Sequence, residues 1–562
     1  MKNRIIYFIL FSFLNSFCYA QIPLLKQWDK RYGGAKNDFF SAIPIQTRDN
    51  GFVFAGTSQS GINGDKSQNN WDVTLGTYDF WVVKTDSMGH KVWDKRYGGN
   101  RTDVALAAMQ TKDGGYILGG TSSSNISGDK TQADWNNNNG DYWIIKIDSL
   151  GAKQWDRRFG TFGQDYFTDI KQTEDGGYIL GGYVYMGISG DKTEPSRGFS
   201  DYWIVKIDAA GNKLWDKRFG GNLYDNLFSI CLTKNGGYLL GGSSTSDSSG
   251  DKSQSSWDTL MGSQDYWVVK VDSNGNKEWD KRFGGNQTST LQSLIQTKDG
   301  GYILGGWSSS NAIGDKSEDT KDTSSIYRGD YWVVKIDSAG NKQWDRDFGG
   351  VFTEFTFGNI IQTNEGGYLF SGISNSNASG DKTENNLPGN GGQTWIVKID
   401  SVGNKKWDKT LNSPMGRYLI QGGYVIQSSD ICFLIGGDTG GGVGGDKTQP
   451  NWDTVSHTSD YWVVKYCDTS IVTNTKKLQH VSLAMQAYPN PFASELFVQL
   501  SGKPNNVSAT YSLLDVSGRL VLPTIESFAT GTKFNTQKLL PGIYFLHAKT
   551  SKEHIVKKFV KF

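Results

Sequence analysis

Chemistry on a protein requires acids, bases, nucleophiles or metal ligands held at fixed spacing. Two sets of residues in this chain have such spacing. The first is acidic: Asp38, Asp103, Asp165, Asp225 and Glu354 recur at one point of successive repeats, where Ser289 stands once. A carboxylate ring could hold a cation or a polyhydroxylated ligand, or supply an acid and a base. The structural reading is that each carboxylate caps its own turn. The second set is aromatic: Trp71, Trp135, Trp257 and Trp452 lie in long polar loops, each beside Asp or Asn. An indole next to polar groups suits stacking on a sugar ring. The structural reading folds these rings over apolar surface. The repeats offer no Cys/His metal spacing, nucleophile elbow or phosphate loop, and His90 and His457 are in unrelated positions. No metal or cofactor is expected.

The elements that must position these residues repeat along the chain. Gln27 to Gly34 reads QWDKRYGG, and the phrase returns at Trp93, Trp155, Trp215, Trp279, Trp344 and, worn, at Trp407. Successive copies lie 60 to 65 residues apart, a period that signals a solenoid, propeller or array. Each repeat holds a strand, a Gly-rich turn, a second strand such as YILGG, a long loop, a DYWVVKID-type strand and the WDK strand. The third-strand Trp occurs seven times, at Trp81, Trp143, Trp203, Trp267, Trp332, Trp395 and Trp462. The third strand is apolar on both faces, as suits a sheet held between two others. The first WDK copy has no repeat before it, and the last repeat, ending at Asp468, has no WDK after it. The expected fold is therefore all-β: a seven-bladed β-propeller over 21–468, closed by the N-terminal strand. In that fold the acidic set would ring one mouth of a central channel. The repeated third-strand lysine and WDK aspartate read as structural ion pairs. The Asp-Ser-x-Gly turns after the third strand read as hairpin turns.

Net charge is +1, with 58 basic and 57 acidic residues mixed throughout, so no basic stripe points to nucleic acid. Residues 1–20 read as a secretory signal peptide cleaved between Ala20 and Gln21, and no later apolar run is long enough for a transmembrane helix. Cys432 and Cys467 fall on neighbouring strands of the last sheet, so a disulfide is expected there, as a secreted protein permits. Cys231 reads as plain core.

After a polar linker, 469–485, the composition changes. Residues 486–562 carry alternating strands, expected as a small Ig-like β-sandwich. Tyr488-Pro489-Asn490-Pro491, LLDVSGR with Gly518, LPGIYFL with Gly542 and Tyr544, and a basic-apolar terminus occur in that order. This stretch resembles the type A C-terminal sorting domain of the bacterial type IX secretion system. The resemblance implies partnership with that machinery and export across the outer membrane of a Gram-negative bacterium, to the surface or the medium. The repeats resemble the DGGY/DYWVVKID/WDKRFGG propellers common among such cargoes, a group with no single activity. The expected function is a non-enzymatic binding or adhesion protein for glycan or surface material. The alternatives are a polysaccharide-active enzyme working at the channel mouth and a passive surface coat.

Overall fold

The computed structural model describes residues 24–468 and 484–561, except 73–75, 136–138, 186, 258–261, 323–328, 389–390, 415–422, 429–430, 457, 489–492, 502–509, 517–518, 522–523, 529–530 and 550–553. The proposed leader, with Ala20 and Gln21, lies outside the described residues, as do Pro489, Asn490, Pro491 and Gly518. Every helix or strand element among the described residues is a β-strand. The chain divides into two compact units, Met1–Ser470 and Ile471–Phe562.

One repeat shows how the first unit is built. Asp103–Gln110, Tyr116–Ser122, Asp141–Ile147 and Lys153–Phe159 pair in that order, each antiparallel to the next. Gly114 turns the chain between the first two strands at φ +89°, a conformation glycine adopts without a Cβ penalty. The third strand is buried along its length, which fits its apolar residues on both faces. Glycine matters again in YILGG. A Cβ on Gly119 would lie 2.3 Å from the Phe167 ring of the following sheet. A Cβ on Gly120 would lie 2.6 Å from the Phe80 ring of the preceding one. Aromatic rings from both neighbours thus lie directly on the backbone.

Among the described residues the first unit holds seven sheets of this kind, numbered here in chain order. The first has an extra short strand, because its innermost segment is broken into Asp38–Phe40 and Ile45–Gln46 around Pro44, which has no N–H for a ladder. The seventh is completed by the start of the described chain. Leu24–Tyr32 pairs antiparallel with Asp460–Asp468, with Trp28 opposite Lys465 and Tyr32 opposite Tyr461. Each sheet touches the next, and the seventh touches the first through Cys432–Thr439 against Asp38–Phe40. The repeated sheets are propeller-like.

The repeated aromatics make the joints. Tyr142 packs on Trp203 of the next sheet at 5.0 Å, Tyr202 on Trp267 at 4.9 Å and Tyr266 on Trp332 at 4.8 Å. Tyr461 of the seventh sheet packs on Trp81 of the first at 4.9 Å, so the same joint spans the ends of the repeat array. The hydroxyls of Tyr202, Tyr266 and Tyr461 donate to the carbonyls of those tryptophans at 2.9, 2.9 and 3.1 Å.

The ion pairs differ from the expected partnership. All seven third-strand indoles donate to the WDK aspartate of their own sheet, at 2.9 to 3.1 Å. The same aspartates take a loop N–H and, in all seven copies, the lysine three positions back. The third-strand lysine instead pairs with the acid of the first turn: Lys84 with Asp49, Lys146 with Asp113, Lys206 with Asp175, Lys335 with Asp299 and Lys398 with Glu365. In the fourth sheet that turn carries Asn235, and Lys270 pairs with Glu278. The reason is register: the lysine head lies over the turn that its neighbouring strand makes, while the indole N–H reaches the aspartate.

The second unit has two four-stranded antiparallel sheets. Leu496, Val498 and Phe534 of one and Leu513, Tyr544, Leu546, Ala548 and Phe559 of the other share one core. Tyr544 is buried and donates to the Leu540 carbonyl at 2.7 Å; Gly542 opens its strand.

Candidate functional site

The innermost segments of all seven sheets wall one cavity of about 570 Å³. Its lining mixes apolar groups such as Ile43, Leu106, Met109 and Phe228 with Thr168, Asp169, Lys171, Gln292, Asn359 and Tyr424. Part of this wall is a belt between sheets. Asp169 accepts the Ile230 N–H at 2.8 Å, Ser229 that of Leu294 at 3.3 Å, Ser293 that of Ile360 at 3.3 Å and Asn359 that of Val425 at 2.7 Å. Lys171 sits 2.6 Å from Asp169 and neutralises it. Cys231 lines this cavity and is not plain core; burial pushes its thiol up to about 11, which keeps it protonated and unreactive.

The five acidic positions do not line this cavity. Asp38, Asp103, Asp165, Asp225 and Glu354 are each 0% exposed. Each accepts the N–H of a residue four positions back: Gly34 at 2.7 Å, Gly99 at 2.8 Å, Thr161 at 2.6 Å, Gly221 at 2.7 Å and Gly350 at 3.0 Å. Hydroxyls of Ser60, Ser124, Ser246 and Ser374 add further bonds. The open ring at a channel mouth is therefore corrected to a set of buried caps on the links between sheets. At Ser289 the same place is held by a 2.9 Å bond with the Ser308 hydroxyl. Burial is the main cause that lifts Asp38 and Asp103 to about 6 and Asp165 and Glu354 to about 7.

The loop tryptophans are half-exposed, at 50% for Trp71, 38% for Trp135, 46% for Trp257 and 48% for Trp452. Each is part of a clasp to the following sheet. Their indole N–H groups donate to Asp129, Asp191, Asp315 and Asp65 at 2.8 to 3.1 Å. Arg96, Arg158, Arg282 and Arg31 stack on the four rings at 4.4 to 4.7 Å and pair with the same aspartates. A stacked guanidinium and an engaged N–H remove one ring surface and the polar handle from any ligand.

Cys432 and Cys467 lie opposite in the ladder and are joined as a disulfide. The turns after the third strands hold no ion-binding arrangement: Asp86, Asp148, Asp208, Asp272, Asp337 and Asp400 each use one carboxylate oxygen to accept two backbone N–H groups of the turn. Among the described residues no group of three or more His, Cys, Asp or Glu is arranged to hold a metal.

Sequence reasoning missed a run of rings in the third sheet. GGYVYMG carries Tyr183 and Tyr185 at two positions where no other repeat has tyrosine, a break in the repeat visible once the seven copies are aligned. Those rings join Tyr166, Tyr224, Phe199 and Phe228.

Residues 486–561 match the secretion system C-terminal sorting domain. The chain is thus exported across the outer membrane, to the cell surface or the medium, as a client of the type IX machinery. No helix among the described residues is long and apolar enough to cross a membrane. No curated protein matches the sequence. Among solved structures, it is similar to a protein of unknown function from Dyadobacter fermentans, with 11% identity and a TM-score of 0.39 over 79% of this chain and 99% of that one. It is also similar to the Neurospora crassa Pan2 WD40 domain, with 8% identity and a TM-score of 0.37 over 76% and 89%. A chain of the mitotic checkpoint complex gives 10% identity and a TM-score of 0.40 over 83% and 98%.

Proposed function

We propose that residues 21–468 form a closed seven-bladed β-propeller that acts outside the cell as a non-enzymatic binding module. Residues 469–485 link it to an Ig-like sandwich, 486–562, that directs export. The observation that carries this reading over an enzyme is the burial of the acidic set. The acid and base pair that the sequence offered is 0% exposed and bonded into the frame. The shared cavity and the half-exposed face residues leave surface for a ligand. The four loop tryptophans belong, on this reading, to the frame.

The test uses the secreted protein with soluble polysaccharides, measuring reducing-end release and binding together. Binding without turnover is the expected outcome. Turnover abolished by Asp103→Asn would establish the enzyme instead. Removal of 486–562 should leave the repeats in the periplasm.

A further inference from the structure

The seven sheets are built alike, so a local departure from the pattern is informative. Tyr166 and Tyr183 face each other in the ladder of the third sheet. The matching pair is Val104 and Thr121 in the second sheet, Asn226 and Ser243 in the fourth, Thr290 and Trp307 in the fifth. In the third sheet alone do both positions carry tyrosine among these four. The two rings stack at 4.8 Å and 14°. Tyr185, two residues on and on the same side of the strand, contacts both at 5.9 and 6.1 Å.

The rings continue in two directions. Inward, Tyr183 meets Phe228 at 6.1 Å, and Phe228 is part of the cavity wall. Outward, Tyr185 meets Tyr224 at 6.4 Å, and Tyr224 stacks on Phe199 at 5.0 Å and 25°. Phe199 is 55% exposed and Tyr224 43%. Six rings thus form a continuous strip from the cavity to the surface of the disc. Its hydroxyls also differ from those of the frame. Tyr202, Tyr266 and Tyr461 donate to tryptophan carbonyls, whereas no hydroxyl of Tyr166, Tyr183, Tyr185 or Tyr224 bonds another described residue. Polar side chains flank the strip: Gln164 is exposed, and Asn226 accepts from Ser200 Oγ at 2.7 Å.

Frame aromatics bury both ring and hydroxyl. A strip that leaves rings and four phenol groups available has the chemistry of a ligand site: flat faces for C–H groups, and donors beside them. Pyranoses with equatorial hydroxyls present apolar faces of axial C–H groups and a rim of hydroxyls, which matches both features. We propose that the strip Phe199, Tyr224, Tyr185, Tyr166, Tyr183 and Phe228 is a binding site for a β-linked oligosaccharide with equatorial hydroxyls, running from the surface into the cavity mouth. The site deepens the binding-module reading and rests on it.

The experiment titrates the secreted full-length protein with cellohexaose, xylohexaose and chitohexaose by calorimetry. At least one should bind, with tyrosine absorbance perturbed. Phe199→Ala and Tyr224→Ala, both at exposed positions, should each weaken binding at least tenfold while circular dichroism stays unchanged. Tyr224→Phe, which keeps the ring, should lose less than Tyr224→Ala. Trp135→Ala should retain the parent affinity. Binding that survives both alanine variants would overturn this site and leave the binding module standing. Failure of all three sugars would overturn the saccharide assignment. Release of reducing ends from a bound sugar would instead count against the non-enzymatic reading.

Discussion

At the junction of the second and third sheets, Trp135 lies under Arg158, and both reach Asp191. At the junction of the fifth and sixth sheets, Lys321 stands in the tryptophan's place and Asp347 in the arginine's, while Asp381 keeps the aspartate. The backbone bond is shared: the Trp135 N–H donates to Asp141 at 3.0 Å and the Lys321 N–H to Asp330 at 2.5 Å. An aromatic under a cation has been exchanged for a cation beside two anions. Asp347 is wholly buried against Lys316, also wholly buried, at 2.5 Å, and Lys321 pairs with it at 3.3 Å. The third sheet offers a further version, with Arg197 and Arg218 both pairing with Asp251. The junction therefore selects for compensated charge and a filled space, and tolerates a change of residue type when the partner changes with it.

Asp347→Ala is the sharpest way to break this comparison. It strands the buried Lys316, and removing one partner of a buried pair costs about 3–5 kcal/mol. Thermal unfolding should show a drop of that size, against a much smaller loss for Arg158→Ala, whose aspartate is partly exposed. The double change Lys321→Trp with Asp347→Arg should be more stable than Asp347→Arg alone. If it is less stable, the two junctions are not versions of one device.

pH separates the buried carboxylates of the junctions from the turn acids. Burial, the largest cause, lifts Asp79 to about 7, Asp265 to about 6 and Asp460 to about 8. Burial and then Asp134 lift Asp141 to about 9. These groups hold a proton more tightly folded than unfolded. Their stabilisation is complete below the ordinary carboxylate range and is lost as pH rises through about 6 to 9. At Asp113 burial acts upward, but bonds from Lys146, Thr111 and Gly115 outweigh it and hold the group at about 2. Its contribution is present above the ordinary range and lost as pH falls toward 2. Melting temperature should therefore decline from pH 5 to pH 8 and also below pH 4. A melting temperature that climbs from pH 5 to pH 8 would contradict the carboxylate assignment.

The smallest effect belongs to the clasps. Trp135→Ala removes a cation–π contact and one exposed hydrogen bond, together about 1 kcal/mol. A loss above about 3 kcal/mol would mean the ring is core and not clasp.

Much of the frame could be read from the chain. The WDK phrase fixed the fourth strands, and the DYW phrase the third, because a strand buried on both faces must be apolar throughout. The orphan phrase at Gln27 to Gly34 located the outer strand of the seventh sheet. The site was far less legible. The acidic residues recur as regularly as a ligand ring would, and repetition cannot distinguish a ring facing a cavity from caps buried in links.

By itself the sequence determined the repeat, the all-β character and the export signal at 486–561, because these depend on local periodicity and contiguous motifs. Only the tertiary structure decided which charge meets which. It paired Lys146 with Asp113, set Trp135 under Arg158, and gathered Phe199, Tyr183 and Phe228 into one strip. Those partners come from different strands and sheets, and burial and facing direction are properties of the assembled sheets.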